Sequence, residues 1–399
     1  MKLPQSIFET LPKALLNIFS EGRPVDKVVE FHSRLHKKWG SRDRRFFAET
    51  CFEIVRHYRQ HWVRCGFPRE AYLSPEDVTA ARMEKILGLY FQDRHPTLTF
   101  PPSWRAEERA RPETFAERES YSEYLDQLGR QELGARWESV AMAMNHKAPV
   151  YLRANFLKVE TAELQSRLRD EGIVTERIPG LDGGLKLVER KNVFVTQAYM
   201  KGLFEVQDLS SQKVVPLLDP QPGERIVDAC AGAGGKTLHM ASLMQNRGKI
   251  IAMDVQIKKL EELRKRANRN GAMLIETRLL ENQKVLKRLE KTADALLLDV
   301  PCSGSGVIRR HPDTKWRFQE SDWDRLRQTQ QEILQTATSV VKPGGRMVYA
   351  TCSVFPSENE RALSIFLEDH PEWQLSLQKT FYPDQDEGDG FFMALLSRI

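Results

Sequence analysis

The chain has 399 residues, of which 41% are hydrophobic and 29% charged, and its formal net charge at pH 7 is +5. This composition is typical of a soluble globular protein rather than a disordered or fibrous one, and the length suffices for two or three domains. No apolar run approaches the roughly 20 residues that a membrane helix needs, and the modest positive charge is compatible with a polyanionic partner without demanding one.

The cysteines and the N-terminus bear on the cellular compartment. The five cysteines are odd in number, widely spaced and form no C-x-x-C pair: Cys51, Cys65, Cys230, Cys302 and Cys352. This pattern favours free thiols over a disulfide framework or a zinc site, so we expect no bound metal. The N-terminal "MKLPQSIFETLPKALLNIF" contains Glu9 and no small-residue cleavage site, which is atypical of a signal peptide. We therefore expect a cytoplasmic protein without a membrane partner.

Residues 1–146 have the pattern of a helical domain. In "DRRFFAETCFEIVRHYRQHWVRCGF", apolar residues recur at roughly helical spacing between basic positions. The stretch 95–115 is broken by prolines and rich in charge, which predicts a loop or an excursion between helices. A helical pattern then resumes and continues until shortly before Pro149.

Residues 147–208 have the pattern of a small α/β segment. "PVYLRANFL" alternates like a strand, "TAELQSRLRDEGI" has the spacing of a short helix, and "KNVFVTQAYMKGLFEVQD" indicates strand and turn. From residue 209 to 399, the apolar runs "GERIVDAC", "GKIIAMDV", "ADALLLDVPC" and "GGRMVYATCS" are each followed by a helical pattern. Such alternation predicts an α/β fold with an open, mostly parallel sheet, which binds ligands at the carboxyl ends of its strands.

The loop "VDACAGAGGKT", residues 227–237, allows several interpretations. A P-loop needs a glycine five positions before Gly235, and Cys230 stands there. The dinucleotide pattern G-x-G-x-x-G fits Gly232 and Gly234 but has Thr237 at its third glycine. A purely structural turn remains open. S-adenosylmethionine suits the loop best, because glycines let the backbone approach a ribose and a carboxylate closely.

A second feature supports S-adenosylmethionine. Asp254 follows the second apolar strand in "IIAMDV", the place where an acid accepts hydrogen bonds from ribose hydroxyls. One acid at a strand end is weak evidence, and its combination with the glycine loop and the spacing strengthens it.

Two cysteines follow neighbouring apolar strands, Cys302 in "LLLDVPCSGSG" and Cys352 in "RMVYATCSVFPSENE". A lone free cysteine is often simply buried, but two at strand ends beside a cofactor loop favour function. Methylation at carbon 5 of a pyrimidine uses a thiolate that adds to C6 and so activates C5. Asp299 is placed to hydrogen-bond the N3/N4 edge of cytosine. Lys236, Arg309 and Arg310 are candidates for promoting thiolate formation.

Several motifs together resemble one family. "DACAGAGGKT", "DVPCSGSG", "RRHPDTKW", "QQEIL", "KPGGRMVYATCSVFPSENE" and "GDGFFMALL" are similar to motifs of the RNA cytosine-C5 methyltransferases of the RsmB/NSUN class. The resemblance runs from about residue 147 to the C-terminus and includes "LRANFLK" and "VQDLSSQ". The basic helical "SRDRRFFAETCFEIVRHYRQHW" more weakly resembles the NusB-like, RNA-binding N-terminal domain of the RsmB branch.

The resemblance implies residue roles that spacing alone does not determine. Cys352 is the expected nucleophile, and Cys302 is expected to aid elimination and product release. Asp254 is expected on the ribose, Asp299 at the cofactor and the base, and Lys236 additionally at the base. The implied S-adenosylmethionine loop consists of Cys230, Ala231, Gly232, Ala233, Gly234, Gly235 and Lys236.

The sequence departs from the family pattern at two places. The family loop has Ala-Pro where this chain has Gly232 and Ala233, so we expect a more flexible loop. The acid that reaches the adenine amino group is usually Asp, whereas "LLENQKV" offers Glu281 or Asn282. We favour Glu281 because it keeps the carboxylate.

The segment "RRHPDTKWR" mixes basic residues with a tryptophan. Arg309, Arg310 and Lys315 suit phosphate contact and Trp316 suits base stacking, although a merely exposed loop remains an alternative. The resemblance thus implies a NusB-like RNA-binding domain (1–146), a pre-catalytic subdomain (147–208) and a Rossmann-like methyltransferase domain (209–399).

The expected function is methylation of C5 of cytosine in RNA, with ribosomal RNA favoured, by a monomeric enzyme. Transfer RNA as the substrate and a non-catalytic RNA-binding or ribosome-assembly factor remain the alternatives. Recognition by RNA shape and single strands leaves no readable code in the sequence.

Overall fold

The computed structural model describes residues 3–282 and 284–399. The chain forms two compact units, one comprising Met1–Lys147 with Val307–Glu320 and the other Ala148–Gly306 with Ser321–Ile399. Among the described residues, no helix is both long and apolar enough to cross a membrane.

The part of the chain up to residue 147 is helical, as predicted. Its helices are α1 (Gln5–Phe19), α2 (Val25–Leu35), α3 (Ser41–Arg56), α4 (Tyr58–Arg64), α5 (Ala80–Arg94), α6 (Phe115–Arg118), α7 (Glu123–Leu133) and α8 (Trp137–Met144), with 3-10 turns at Pro102–Trp104 and Gly134–Arg136. The predicted excursion at 95–115 has no α-helix before α6, apart from that first 3-10 turn. Helices α1, α3 and α5 pack through apolar residues spaced three and four apart, such as Ile7, Leu11 and Leu15, all fully buried.

Residues 148–208 form a four-stranded antiparallel sheet with strand order β2-β3-β1-β4. Its elements are β1 (Tyr151–Ala154), α9 (Thr161–Asp170), β2 (Thr175–Arg177), β3 (Gly184–Leu187), a 3-10 turn at Val193–Val195, α10 (Gln197–Met200) and β4 (Phe204–Val206). The predicted strand and helix are confirmed as β1 and α9. Of the segment predicted as strand and turn, only β4 is a strand, and the 3-10 turn and α10 precede it. Strands β2 and β3 were not predicted.

The rest of the chain forms α11 (Leu209–Gln212), α12 (Val214–Leu218), β5 (Arg225–Asp228), α13 (Gly235–Leu243), β6 (Lys249–Asp254), α14 (Ile257–Asn270), β7 (Ile275–Leu279), α15 (Lys284–Lys287), β8 (Ala293–Asp299), α16 (Thr314–Arg317), α17 (Glu320–Ala337), β9 (Val341–Thr351), α18 (Glu360–Asp369), β10 (Trp373–Phe381) and β11 (Phe391–Arg398), with 3-10 turns at Ser305–Val307, Thr338–Val340 and Pro356–Glu358. The strand order is β10-β11-β9-β8-β5-β6-β7.

The seven-stranded sheet confirms the prediction of a mostly parallel α/β fold. Strands β5 to β9 pair in parallel, and only the β10-β11 and β11-β9 pairs are antiparallel. Residues 295–298 of β8 are all apolar because both faces of the strand are covered: Leu297 belongs to one core cluster and Leu296 to another. Strands β6 and β7 lie on one side of β5, and β8 and β9 lie on the other side. The topological switch point is therefore between β5 and β8, and ligands bind at the carboxyl ends of the strands at such a point.

The segment Val307–Glu320 belongs to the helical unit, although it lies inside the predicted catalytic domain in sequence. The Trp316 indole packs in the helical core and donates a hydrogen bond to the Val55 carbonyl at 2.7 Å. The Lys315 side chain is fully buried there, and its ammonium donates to the carbonyls of Arg56 and Glu119, both at 3.1 Å. The sequence division at residue 146 did not anticipate this inserted segment.

Candidate functional site at the carboxyl ends of the central strands

The glycine loop links β5 to α13 at the centre of the sheet. Gly232 and Gly234 have φ angles of +55° and +88°, which favour glycine. A Cβ at Gly234 would lie 2.0 Å from Leu263 Cδ1, so α14 packs directly against the loop backbone. A Cβ at Gly232 or Gly235 would meet nothing within 4 Å, so the backbone borders open space there.

Asp254 ends β6 beside this loop, as predicted. Its carboxylate accepts hydrogen bonds from the backbone N–H of Gly232 at 3.0 Å and of Gln256 at 2.8 Å. The side chain is buried. Asp254 therefore holds the loop in place with one oxygen and the start of the following helix with the other.

A cavity of about 220 Å³ opens between the ends of β5 and β8. It is lined by Gln207, Ser211, Asp228, Cys230, Ala231, Gly232, Ala233, Gly235, Lys236 and Asp299. Most of the loop residues that the sequence nominated thus surround one space. Burial raises the pKa of the Cys230 thiol, with Asp228 and Asp299 adding to the effect, so this cysteine stays protonated.

Lys236 and Asp299 form an ion pair inside this cavity. The Lys236 ammonium lies 2.5 Å from Asp299 Oδ2 and 5.0 Å from the centre of the Phe391 ring. Lys236 is buried, whereas the Asp299 side chain keeps about a third of its surface exposed. The pair joins the start of α13 to the end of β8 and leaves Asp299 Oδ1 available to a ligand.

Cys302 and Cys352 meet at the ends of β8 and β9. Their sulfur atoms are 3.2 Å apart, so the structure brings the two predicted cysteines together. The hydrogen bond with Cys352 and then burial raise the pKa of the Cys302 thiol well above its ordinary value. A thiol that keeps its proton can donate it to a neighbouring sulfur, so the geometry suits one proton donor and one nucleophile.

Glu358 holds the Cys302 loop and was not predicted. It is fully buried and accepts hydrogen bonds from the Ser303 hydroxyl at 2.5 Å, the Ser303 N–H at 2.8 Å and the Gln330 amide at 2.9 Å. Burial raises its pKa despite these donors. The motif "SENE" contained this residue, but its partners lie 28 and 55 positions away in the chain and no local pattern indicates them.

Asp228 is a second residue that the sequence analysis missed. It is buried at the end of β5, where the Thr237 hydroxyl donates to Oδ2 at 2.7 Å while Oδ1 has no partner among the described residues. Burial raises the pKa of Asp228 to about 7. Because this residue lines the cavity, it offers a buried, unpaired oxygen to a cationic ligand group. The sequence feature that could have indicated Asp228 is its position as an acidic residue directly before the glycine loop.

The predicted RNA contacts at Arg309 and Lys315 are wrong. Lys315 is fully buried and Arg309 is buried, so neither presents its charge to a phosphate at the surface. Lys315 also hydrogen-bonds to Asn145 Oδ1 and lies 4.0 Å from the centre of the Tyr121 ring. Arg310 is half-buried, and its role stays a prediction.

The remaining predicted positions are less constrained. Glu281 is exposed just after β7 and does not line the cavity, so its contact with adenine stays a prediction. The neighbouring Gln283 lies outside the described residues. Within the described ranges, no group of three or more His, Cys, Asp or Glu side chains is arranged to hold a metal ion.

Two family models match the chain. The model described as 16S rRNA methyltransferase RsmB/F matches residues 215–397, and the model of an RsmF/B-like ferredoxin-like domain matches residues 121–194. The first covers all seven strands of the large sheet except the last residue of β11. The second starts before residue 147 and so crosses the boundary that the sequence analysis placed there.

Curated relatives and solved structures agree with these models. The ribosomal RNA small subunit methyltransferase B of Photorhabdus laumondii is 36% identical over 278 residues, which cover 66% of this chain and 63% of the relative. The protein of the same name from Pasteurella multocida is 36% identical over 66% of this chain and 62% of its own length. The chain therefore spans slightly less than two thirds of the length of these relatives.

Two solved structures show the same fold. PH0851 is 25% identical over 100% of both chains with a TM-score of 0.82. A methyltransferase homolog protein from Pyrococcus horikoshii is 30% identical over 71% of this chain and 98% of its own, with a TM-score of 0.64. The predicted Rossmann-like methyltransferase fold is thereby confirmed.

Proposed function

The chain belongs to the RsmB/F family of methyltransferases, and on this premise we propose that it transfers a methyl group from S-adenosylmethionine to C5 of cytosine in RNA. Ribosomal RNA is the RNA class that we favour, because the curated relatives are named for the small-subunit ribosomal RNA. The observation that carries the proposal is the pair of sulfur atoms 3.2 Å apart, one of them on Cys302, which follows β8 three residues after Asp299, the partner of Lys236.

The cavity suits S-adenosylmethionine in its donors and acceptors. The loop backbone at Gly232 and Gly235 borders open space, and the unpaired Asp228 oxygen suits an ammonium group. Asp254 and Glu281 are our candidates for the ribose and the adenine. When bound, the cofactor supplies an electrophilic methyl group.

Four side chains have separate roles in the reaction on cytosine. The Cys352 thiolate sulfur adds to C6, and the electron pair of the C5–C6 π bond forms the new bond from C5 to the methyl carbon. The bond from that carbon to the cofactor's sulfur breaks in the same step, and its electron pair stays on the sulfur. A base then removes the C5 proton, the double bond returns, and the bond from C6 to Cys352 breaks. Cys302 aids this elimination. Asp299 hydrogen-bonds the N3/N4 edge of the cytosine, and Lys236 positions both Asp299 and the cytosine.

The RNA contacts come from the rest of the molecule. We assign RNA binding to the helical domain 1–146 as a NusB-like module and to Arg310, and catalysis to residues 209–399 with 147–208 as their support. The target cytosine leaves its stack to reach Cys352. The monomeric state and the cytoplasmic location stay predictions.

The test is methyl transfer from tritium-labelled S-adenosylmethionine to total RNA by wild type, Cys352→Ala and Cys302→Ala. We expect label in RNA with wild type and none with Cys352→Ala, since the nucleophile is lost. Cys302→Ala should accumulate a protein–RNA adduct that survives denaturing electrophoresis, because elimination is impaired.

Three results would change the proposal. Labelling that is abolished by Cys302→Ala and retained by Cys352→Ala would reverse the two cysteine roles. Label confined to transfer RNA would keep the chemistry and change the substrate. No label on ribosomal subunits, free ribosomal RNA or transfer RNA would leave the non-catalytic binding factor as the better account.

A further inference from the structure

The glycine loop is held from outside by two arginines. Residues 231–235 carry no side chain longer than a methyl group, so no polar side chain within this stretch holds its backbone in place. Arg266 on α14 donates from Nη1 to the Ala233 carbonyl at 2.7 Å, and Arg153 on β1 donates from Nη1 to the Gly235 carbonyl at 2.9 Å. The two contacts lie on either side of Gly234.

Arg266 is itself fixed by a buried carboxylate of the antiparallel sheet. Its Nη2 donates to Glu205 Oε2 at 2.7 Å, and Asn270 donates to Glu205 Oε1 at 2.6 Å, where Arg269 also donates. Glu205 on β4 is 3% exposed. Burial alone would raise the pKa of Glu205, but Arg266, Asn270 and Arg269 outweigh it and hold the pKa below its ordinary value. The carboxylate is therefore ionised and directs the guanidinium.

Arg153 is the second tie from the same sheet. It is 3% exposed and also donates to Gln207 Oε1, a residue that lines the cavity. Burial lowers the pKa of Arg153 to about 9, with Glu205 opposing that shift, so the side chain is charged at neutral pH. A charged group this deeply buried needs partners, and the loop carbonyl is one of them.

We propose that Arg266, held by Glu205, and Arg153 are positioning residues that fix the glycine loop for S-adenosylmethionine. The antiparallel sheet 148–208 is then part of the cofactor site rather than only a support for the catalytic domain. The inference rests on the proposed function, because it names what the loop binds.

The physical reason is pre-organisation. A loop with two glycines at positive φ, and Gly232–Ala233 where the family has Ala-Pro, loses much backbone freedom when it orders around a ligand. Hydrogen bonds from charged guanidinium groups to its carbonyls impose that order beforehand. Loss of one such bond is expected to weaken binding about tenfold or more, while the cysteine chemistry is unchanged.

The direct test is calorimetric binding of S-adenosylhomocysteine to wild type, Arg266→Ala and Arg266→Lys. We expect Kd to rise about tenfold or more in Arg266→Ala and to recover in part in Arg266→Lys, which keeps a charge but reaches one partner. The matched control is Arg264→Ala on the same helix, whose guanidinium bonds Thr277 at 2.7 Å and does not contact the loop; its Kd should equal that of wild type. Circular dichroism melting of each variant checks that the fold is intact.

Separate measurement of KM and kcat, together with a double-mutant cycle, distinguishes a positioning role from a general contribution to stability. In methyl transfer, Arg266→Ala should raise KM for S-adenosylmethionine about tenfold with kcat within about twofold of wild type. Glu205→Gln should raise Kd as well, and adding it to Arg266→Ala should cost less than the two single effects together, because both act through one contact. Additive losses would overturn the role of Glu205.

The outcomes distinguish this inference from the proposed function. Wild type that binds no S-adenosylhomocysteine would refute the cofactor itself. Wild type that binds, together with a folded Arg266→Ala of equal Kd and equal KM, would refute the positioning role and leave the proposed function standing.

Discussion

At the scale of single residues, Asp228 lines the cavity and lowers the stability of the fold when its carboxyl is ionised. Its carboxyl is buried, one of its oxygens has no hydrogen-bond partner in the described part of the chain, and burial raises its pKa from 3.8 to about 7. The folded protein therefore binds a proton that the unfolded chain has already released between about pH 4 and pH 7. The stability contributed by the protonated carboxyl is complete below pH 4, falls across this window and reaches its minimum above pH 7.

Replacing this carboxyl should stabilise the protein at high pH. Asp228→Asn removes the buried charge, keeps an acceptor for Thr237, and should raise the free energy of unfolding at pH 8 by about 2–4 kcal/mol, with little change at pH 4. Urea unfolding at both pH values measures the difference. The same variant should bind S-adenosylhomocysteine more weakly.

Asp294, an aspartate whose pKa is shifted in the opposite direction, serves as the control. Burial alone would raise the pKa of Asp294, but Lys342 at 2.5 Å and the Arg225 N–H at 2.8 Å hold it below its ordinary value. Its stabilising contribution is present above the unfolded pKa and is lost as the pH falls through the folded one, so Asp294→Asn should be less stable than wild type at pH 8. If both variants shift in the same direction, the account of Asp228 is wrong.

Sequence could predict those site residues that lie in short motifs at strand ends. Cys302, Cys352, Asp299 and Asp254 each follow an apolar run, and parallel strands bring such ends together. Lys236 was predicted from the glycine loop, but its pairing with Asp299 depends on two elements 63 positions apart. Lys315 was misassigned because the same basic side chain suits a phosphate at the surface and a ring of carbonyls in the interior.

At the scale of elements, the segment Val307–Glu320 is built into the helical unit through Trp316. The indole lies 5.6 Å from the Tyr58 ring and 6.0 Å from the Tyr72 ring, centre to centre. Trp316→Ala should cost about 3–5 kcal/mol and loosen the helices around it. Hydrogen exchange of peptides from α3 and α4 measures this locally, which avoids assuming two-state unfolding of the whole chain.

The neighbouring Arg317 provides the matched substitution. Its side chain is 45% exposed and pairs with Asp313 at 3.0 Å, a contact worth about 0.5 kcal/mol or less after solvent screening. Arg317→Ala should leave exchange in α3 and α4 unchanged. Equal protection of these helices in wild type and Trp316→Ala would show that the segment does not belong to the helical core.

Elements differ in how far sequence predicts them. The alternating strand and helix pattern predicted β5, β6, β8 and β9, because long helices separate these strands and set them in parallel. The antiparallel β10 and β11 were not predicted as strands, and neither was β7. A short apolar run such as "FFMALL" fits a strand or a buried helix equally well, and its pairing with β9 is a long-range property.

At the scale of the whole molecule, the electrostatics of the cavity decide among the ligands that the glycine loop first allowed. Asp228 and Asp299 line the cavity, and Lys236 is already paired with Asp299. A triphosphate would face two carboxylates without a free lysine of the loop to bind it, which argues against a P-loop function. A ligand with a sulfonium and an ammonium group is matched by the same charges.

The family and the paired cysteines both lead us to expect the same reaction product, 5-methylcytosine in RNA. The proteins that this chain resembles are named as ribosomal RNA methyltransferases, and the paired cysteines explain why carbon 5 of a pyrimidine is the atom that we expect to be methylated. The fold alone would serve many methyl acceptors. The position of the methyl group therefore tests the account more sharply than the amount transferred.

The most direct measurement is identification of the methylated nucleoside. Small ribosomal subunit RNA lacking modifications is incubated with S-adenosylmethionine that carries a trideuterated methyl group, digested to nucleosides and analysed by mass spectrometry. We expect trideuterated 5-methylcytidine with wild type and none with Cys352→Ala. Trideuterated label on another atom or another base, or equal 5-methylcytidine from Cys352→Ala, would contradict it.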